Sequence, residues 1–128
     1  MKTITTILTL LAALVAFSVN AEIKLEDNSK ILGKWKVTAE SLGLEKEKKS
    51  LNVTWNFLSN GNLQTIGEDT LGRTSSMDIT IKYSVENGII KKQTSPGREK
   101  FEECSVQELT QTNMILKCKG VYFFMTRN

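Results

Sequence analysis

Leu51-Asn52-Val53-Thr54-Trp55-Asn56-Phe57 decides the fold. In an extended chain Leu51, Val53, Trp55 and Phe57 fall on one side and Asn52, Thr54 and Asn56 on the other. A period of two gives a strand with one buried and one wet face, and helical spacing does not fit the run. Its β-branched and aromatic content agrees. Ser59-Asn60-Gly61-Asn62 then leads into Leu63–Ile66. Asn-Gly is a hairpin signal because both residues tolerate the positive φ of a tight turn. The pattern recurs where Met77, Ile79, Ile81, Tyr83 and Val85 alternate with Asp78, Thr80, Lys82 and Ser84. Glu86-Asn87-Gly88 turns that run into Ile89–Thr94.

Working outward, Trp35–Ala39 precedes these strands, and Asp27-Asn28-Ser29 is placed to cap one helical turn over Lys30–Leu32. Phe101–Leu109 and Asn113–Lys119 flank Thr110-Gln111-Thr112, and Val121–Arg127 comes last. Lys119-Gly120 reads either as a turn or as a bulge in one long strand. The sequence thus predicts an all-β chain: a single up-and-down antiparallel β-barrel of about eight strands. Alternate connections of such a meander fall at the same end. The short ones, at Asn60-Gly61, Asn87-Gly88 and Gln111, close a base. The long ones, Glu40–Lys49 and Gly67–Ser75, form a rim.

The chain has 128 residues, enough for one domain. Its 17 Lys+Arg and 14 Asp+Glu give +3 with no basic patch, which argues against nucleic acid as a partner. Histidine is absent, which removes Ser-His-Asp and Cys-His catalysis and every imidazole metal site. There is no Gly-rich phosphate loop, no calcium loop and no marked carboxylate pair. The sequence therefore suggests binding and not catalysis, with no cofactor and no metal.

Lys2, the apolar run Ile7–Val19 and Val19-Asn20-Ala21 read as a secretory signal peptide over residues 1–21, leaving the barrel in 22–128. The expected location is periplasmic or secreted, without stable membrane insertion after cleavage. An oxidising compartment favours a disulfide between the two cysteines. With Gln111 at the centre of its turn, Cys104 lies opposite Cys118 and Val106 opposite Leu116, close enough for the bond.

Ile31-Leu32-Gly33-Lys34-Trp35-Lys36-Val37 resembles the opening Gly-x-Trp strand of lipocalin-like domains. Trp55-Asn56-Phe57 with Ser59-Asn60-Gly61 resembles the second strand and hairpin of the small bacterial lipocalin-like family. Tyr83-Ser84-Val85-Glu86-Asn87-Gly88 is similar to its Tyr-x-Val hairpin. Val106–Thr110, Met114-Ile115-Leu116 and Tyr122-Phe123-Phe124 resemble its last strands. The resemblance spans 22–128 and implies an eight-stranded barrel. Relatives bind small apolar ligands, inhibit periplasmic enzymes, or have no assigned role.

In such a barrel Gly33 and Trp35 are structural, with Trp35 sealing the base. Arg127 should pack over Trp35, because closure makes the first and last strands neighbours. Val37, Leu51, Val53, Met77, Ile79, Phe101 and Val121 should line the upper interior, an apolar surface without fixed charge. Leu42, Leu44 and Leu71 in the long loops are candidates for a lid over the opening, with packing on the barrel wall as the alternative. The leading expectation is an exported carrier or sensor for a small apolar ligand. The alternative is a protein partner, as an interaction module or an inhibitor of an exported enzyme. Small periplasmic metalloprotease inhibitors look similar in outline, although their cysteines are placed differently. In them an N-terminal segment enters the protease cleft, which here would be Glu22–Ser29 reaching outward.

Overall fold

The computed structural model describes residues 22–67 and 77–128. The signal-peptide reading and Leu71 lie outside them. Eight strands follow one another: β1 (Gly33–Ser41), β2 (Lys49–Phe57), β3 (Asn62–Gly67), β4 (Met77–Glu86), β5 (Ile89–Gln93), β6 (Phe101–Leu109), β7 (Asn113–Cys118) and β8 (Val121–Thr126). Each pairs antiparallel with the next, and β1 pairs with β8, so the sheet is a closed barrel. Asn87 and Gly88 both have positive φ, as do Lys119 and Gly120. That is the backbone of a two-residue hairpin turn. It settles the ambiguity at Lys119-Gly120: β7 and β8 are separate strands. No helical turn forms over Lys30–Leu32. Asp27 instead accepts a hydrogen bond from the Ser29 N–H (2.9 Å), and Ile31 N–H donates to Asn28 O (3.1 Å), which is a local turn.

Alternation decides what fills the lumen. Trp35, Phe57, Leu63, Ile90, Val106, Met114, Leu116 and Met125 point inward and are buried. Each large apolar side chain so buried contributes about 1.5–3 kcal/mol. Tyr83 meets Phe57 edge-on, with ring centroids 5.1 Å apart. Cys104 and Cys118 face each other across β6 and β7 and form a disulfide, with 4.3 Å between Cα atoms. Closing that loop stabilises the fold by roughly 3 kcal/mol through loop-closure entropy.

The base is held by one cation. The Arg127 guanidinium carbon lies 3.9 Å from the Trp35 ring centroid. Its nitrogens donate to the carbonyls of Leu32 (2.7 Å), Gln111 (2.9 Å) and Lys30 (3.2 Å). The Trp35 indole N–H donates to Ile31 O at 2.9 Å. Gly33 is required here by its backbone: its φ is +105°, which residues with a side chain rarely adopt.

The segment before β1 completes the base and does not reach outward. Ile23 N–H donates to Val106 O (2.7 Å) and Leu25 N–H to Gly88 O (3.0 Å). Leu25 and Ile31 are buried. The Asn28 side-chain amide donates to the Tyr83 hydroxyl (3.1 Å), which in turn donates to Leu58 O (2.7 Å). The expectation of a free Glu22–Ser29 arm is corrected: two backbone hydrogen bonds and a buried leucine tie it down.

Two outcomes follow from the base. Arg127→Ala removes the ring contact and three carbonyl partners, and should cost roughly 2 kcal/mol in urea denaturation followed by Trp fluorescence. Arg127→Lys, which keeps the charge without the planar fork, should recover only part of it. Separately, burial holds the Tyr83 hydroxyl above the ordinary tyrosine value of 10.0, opposed by the Asn28 hydrogen bond. A raised folded value leaves stability intact below that ordinary value. It is lost as pH rises through the folded value, because the unfolded chain ionises first. Denaturation between pH 8 and 11 should show a falling alkaline limb that flattens in Tyr83→Phe.

Candidate functional site

The register defines the mouth above this core. Trp55 on β2 stands opposite Thr65 on β3, and Thr65 opposite Ile79 on β4. Leu51, Val53, Ile79 and Phe123 pack against the core while remaining partly exposed. Val121, opposite Cys118, is likewise half-buried. Leu51, Val53, Ile79 and Phe123 lie toward the end of the barrel away from Trp35. Trp55 forms the floor, with the Phe123 ring centroid 5.3 Å from its own at a tilt of 46°. Since β2 and β8 are not neighbours, that contact crosses the lumen.

The mouth is not free of charge. Lys92 on β5 faces Glu102 on β6 and forms a short ion pair with it. The two side chains are only 12% and 17% exposed. The Lys92 ammonium also lies 5.3 Å from the Trp55 ring centroid, again across the lumen. The expectation of an upper interior without fixed charge is thereby corrected. Alternation explains both members. Ile90 and Cys104 point inward, so Lys92 and Glu102, two residues along each strand, do so as well. The same parity corrects Phe101, which the sequence reading placed inside. It neighbours the inward Glu102, pairs with Gln93, and stands on the outer wall, 44% exposed.

The remaining expected residues divide. Val37 is inside but belongs to the core, at 1% exposure. Met77 opens β4 opposite Gly67. Leu42 is 75% exposed and Leu44 43% exposed, so neither is buried over the opening. Their loop is shaped locally, with the Ser41 hydroxyl and Lys46 N–H both donating to Gly43 O (2.6 and 3.1 Å). The register shift after Val37 also sets Glu40 on the same face as Phe123, opposite Lys49. Sequence reasoning missed Lys92, Glu102, Thr65 and Phe123. The signal was available: parity counted from Cys104 reaches Glu102, and a charged residue facing another on the inward side is a pair.

The Glu102 carboxylate lies within 4.8 Å of both cysteine sulfurs. The sulfurs are committed to the disulfide and Glu102 to Lys92, so this trio offers no metal-ligand set while the bond stands.

Two further features lie on the outside. A groove of about 560 Å³ runs along the base between Ile23–Lys30, Leu109–Gln111 and Arg127. In the wall, β4 pairs with β5 only from Tyr83 to Glu86. Beyond that the Gln93 side chain stands in for a strand. Its carbonyl accepts from Lys82 N–H (2.7 Å) and its amide donates to Arg98 O (2.9 Å).

The chain is similar to a lipocalin-like protein from Bacteroides uniformis, at 16% identity and a TM-score of 0.64 over 78% of this chain and all of that one. It is also similar to an uncharacterized protein from Bacteroides eggerthii, at 15% identity and a TM-score of 0.60 over 76% of this chain and 98% of that one. No family model and no curated protein matches it. The fold is lipocalin-like. The disulfide is consistent with an exported protein, and no helix among the described residues is long and apolar enough to cross a membrane.

The ion pair has a distinct thermodynamic signature. Glu102→Leu alone should cost about 2 kcal/mol, less than a fully buried pair because both groups keep some water. Lys92→Met with Glu102→Leu should restore stability to within about 1 kcal/mol of the parent. Urea denaturation of the parent, both single variants and the double variant checks it.

Proposed function

We propose that the protein binds a small, largely apolar ligand in the mouth of the barrel, as an exported carrier or sensor. One observation supports this above the others. Leu51, Val53, Ile79 and Phe123 face the lumen, keep partial exposure, and stand over the Trp55 floor. Apolar surface inside a barrel is ordinarily filled by the barrel's own side chains, as it is lower down. Here a ring of it keeps partial exposure toward the end opposite the Trp35 base.

Burial is the affinity source in this reading. Each CH₂ removed from water contributes roughly 0.8 kcal/mol, so a short acyl chain reaches micromolar affinity after association costs. The lipocalin-like architecture suits this role, although a fold alone does not assign one. Titration with an environment-sensitive apolar dye is the direct test. The expected result is micromolar binding, weakened at least about tenfold when Val53→Trp and Ile79→Trp fill the mouth. Absent binding, or binding unchanged in that double variant, overturns the reading.

A further inference from the structure

We propose that the Lys92–Glu102 pair makes the mouth selective for neutral amphiphiles whose head group both donates and accepts hydrogen bonds, such as an alcohol or a primary amide. The inference rests on the mouth being a ligand site and names which ligands it takes.

The argument begins with hydrogen-bonding capacity. A lysine ammonium has three donors and a carboxylate has acceptor sites on two oxygens. One bond, from Lys92 to a single Glu102 oxygen, joins the pair. Both groups keep some exposure. Spare donors and acceptors therefore lie side by side, next to Trp55 and near the disulfide. A hydroxyl or amide accepts from Lys92 and donates to Glu102 at once, and neither bond strips water from an ion on the ligand.

Charge balance supplies the discrimination. The pair carries no net charge, and at the ends of β1 and β2 Glu40 stands opposite Lys49 in the strand register, so their formal charges also cancel. A ligand carboxylate near Lys92 meets Glu102 as well, and a ligand ammonium near Glu102 meets Lys92. Either loses its hydration without gaining an uncompensated counter-charge. A mouth with a lone lysine would take anions. This one has cancelled that charge with a carboxylate on the adjacent strand.

Displacement of the bound dye by 1-decanol, decanoate and decylammonium tests this in the full protein. The parent should bind 1-decanol at least tenfold more tightly than either charged probe. Glu102→Gln should raise decanoate relative to 1-decanol at least tenfold, and Lys92→Gln should do the same for decylammonium. The parent ranking needs no variant to fold: a charged probe bound as tightly as 1-decanol overturns the inference. So does displacement with the same ranking in parent and variants, which leaves the mouth reading standing. Failure of every probe to displace the dye from every protein overturns the mouth reading and this inference with it.

Discussion

Pairing of the first strand with the last is the constraint on which everything else rests. An open eight-stranded sheet would carry two unpaired edges, and the described residues form no helix to cover them. Closure removes both edges and creates an inside, yet it joins residues separated by nearly the whole described chain. Val37 stands beside Met125, and Arg127 reaches back to the carbonyls of Lys30 and Leu32. The guanidinium over Trp35 therefore secures the seam and seals the base together. Gly33, between Leu32 and Trp35 in the chain, supplies the positive φ with which the backbone enters β1.

Once the base is sealed, the lumen divides by height. Below Trp55 it is filled with large apolar side chains and closed by Leu25 and Ile31. Above, the walls are apolar on the β2 and β4 side and charged on the β5 and β6 side. An ion pair in such a place adds little stability compared with a well-packed apolar pair. Its presence next to a partly exposed apolar ring fits the selectivity proposed for the mouth better than a need for stability.

Most of the architecture was legible in residue order because strands with one wet face announce themselves by alternation. The turns at Asn60-Gly61 and Asn87-Gly88 fixed which ends were tight, and the tight ends fixed the base. Cys104 facing Cys118 followed from a single turn centre, and Arg127 beside Trp35 from closure. The site was less legible. Lys92 and Glu102 are not singled out by the sequence reading, since charge normally marks the outer face, and Phe101 is expected inside. Parity outranks residue type in a barrel wall, and it corrects both. The arm at Glu22–Ser29 misled for another reason. Its polar sequence gives no sign that its backbone groups have partners in Val106 and Gly88, far away along the chain.

Gln93 gives the wall a seam of a different kind. Elsewhere neighbouring strands are held by a row of backbone hydrogen bonds, and parting them means breaking the row. Between Lys82 and the loop at Arg98 the join is one amide side chain with two contacts, and a rotation about its own bonds undoes both. The ladder need not slip for this to happen. Gln93 adjoins Lys92, so the weak point lies next to the ion pair. Turning that one side chain would open the wall beside Lys92 and Glu102 while every strand keeps its backbone partners.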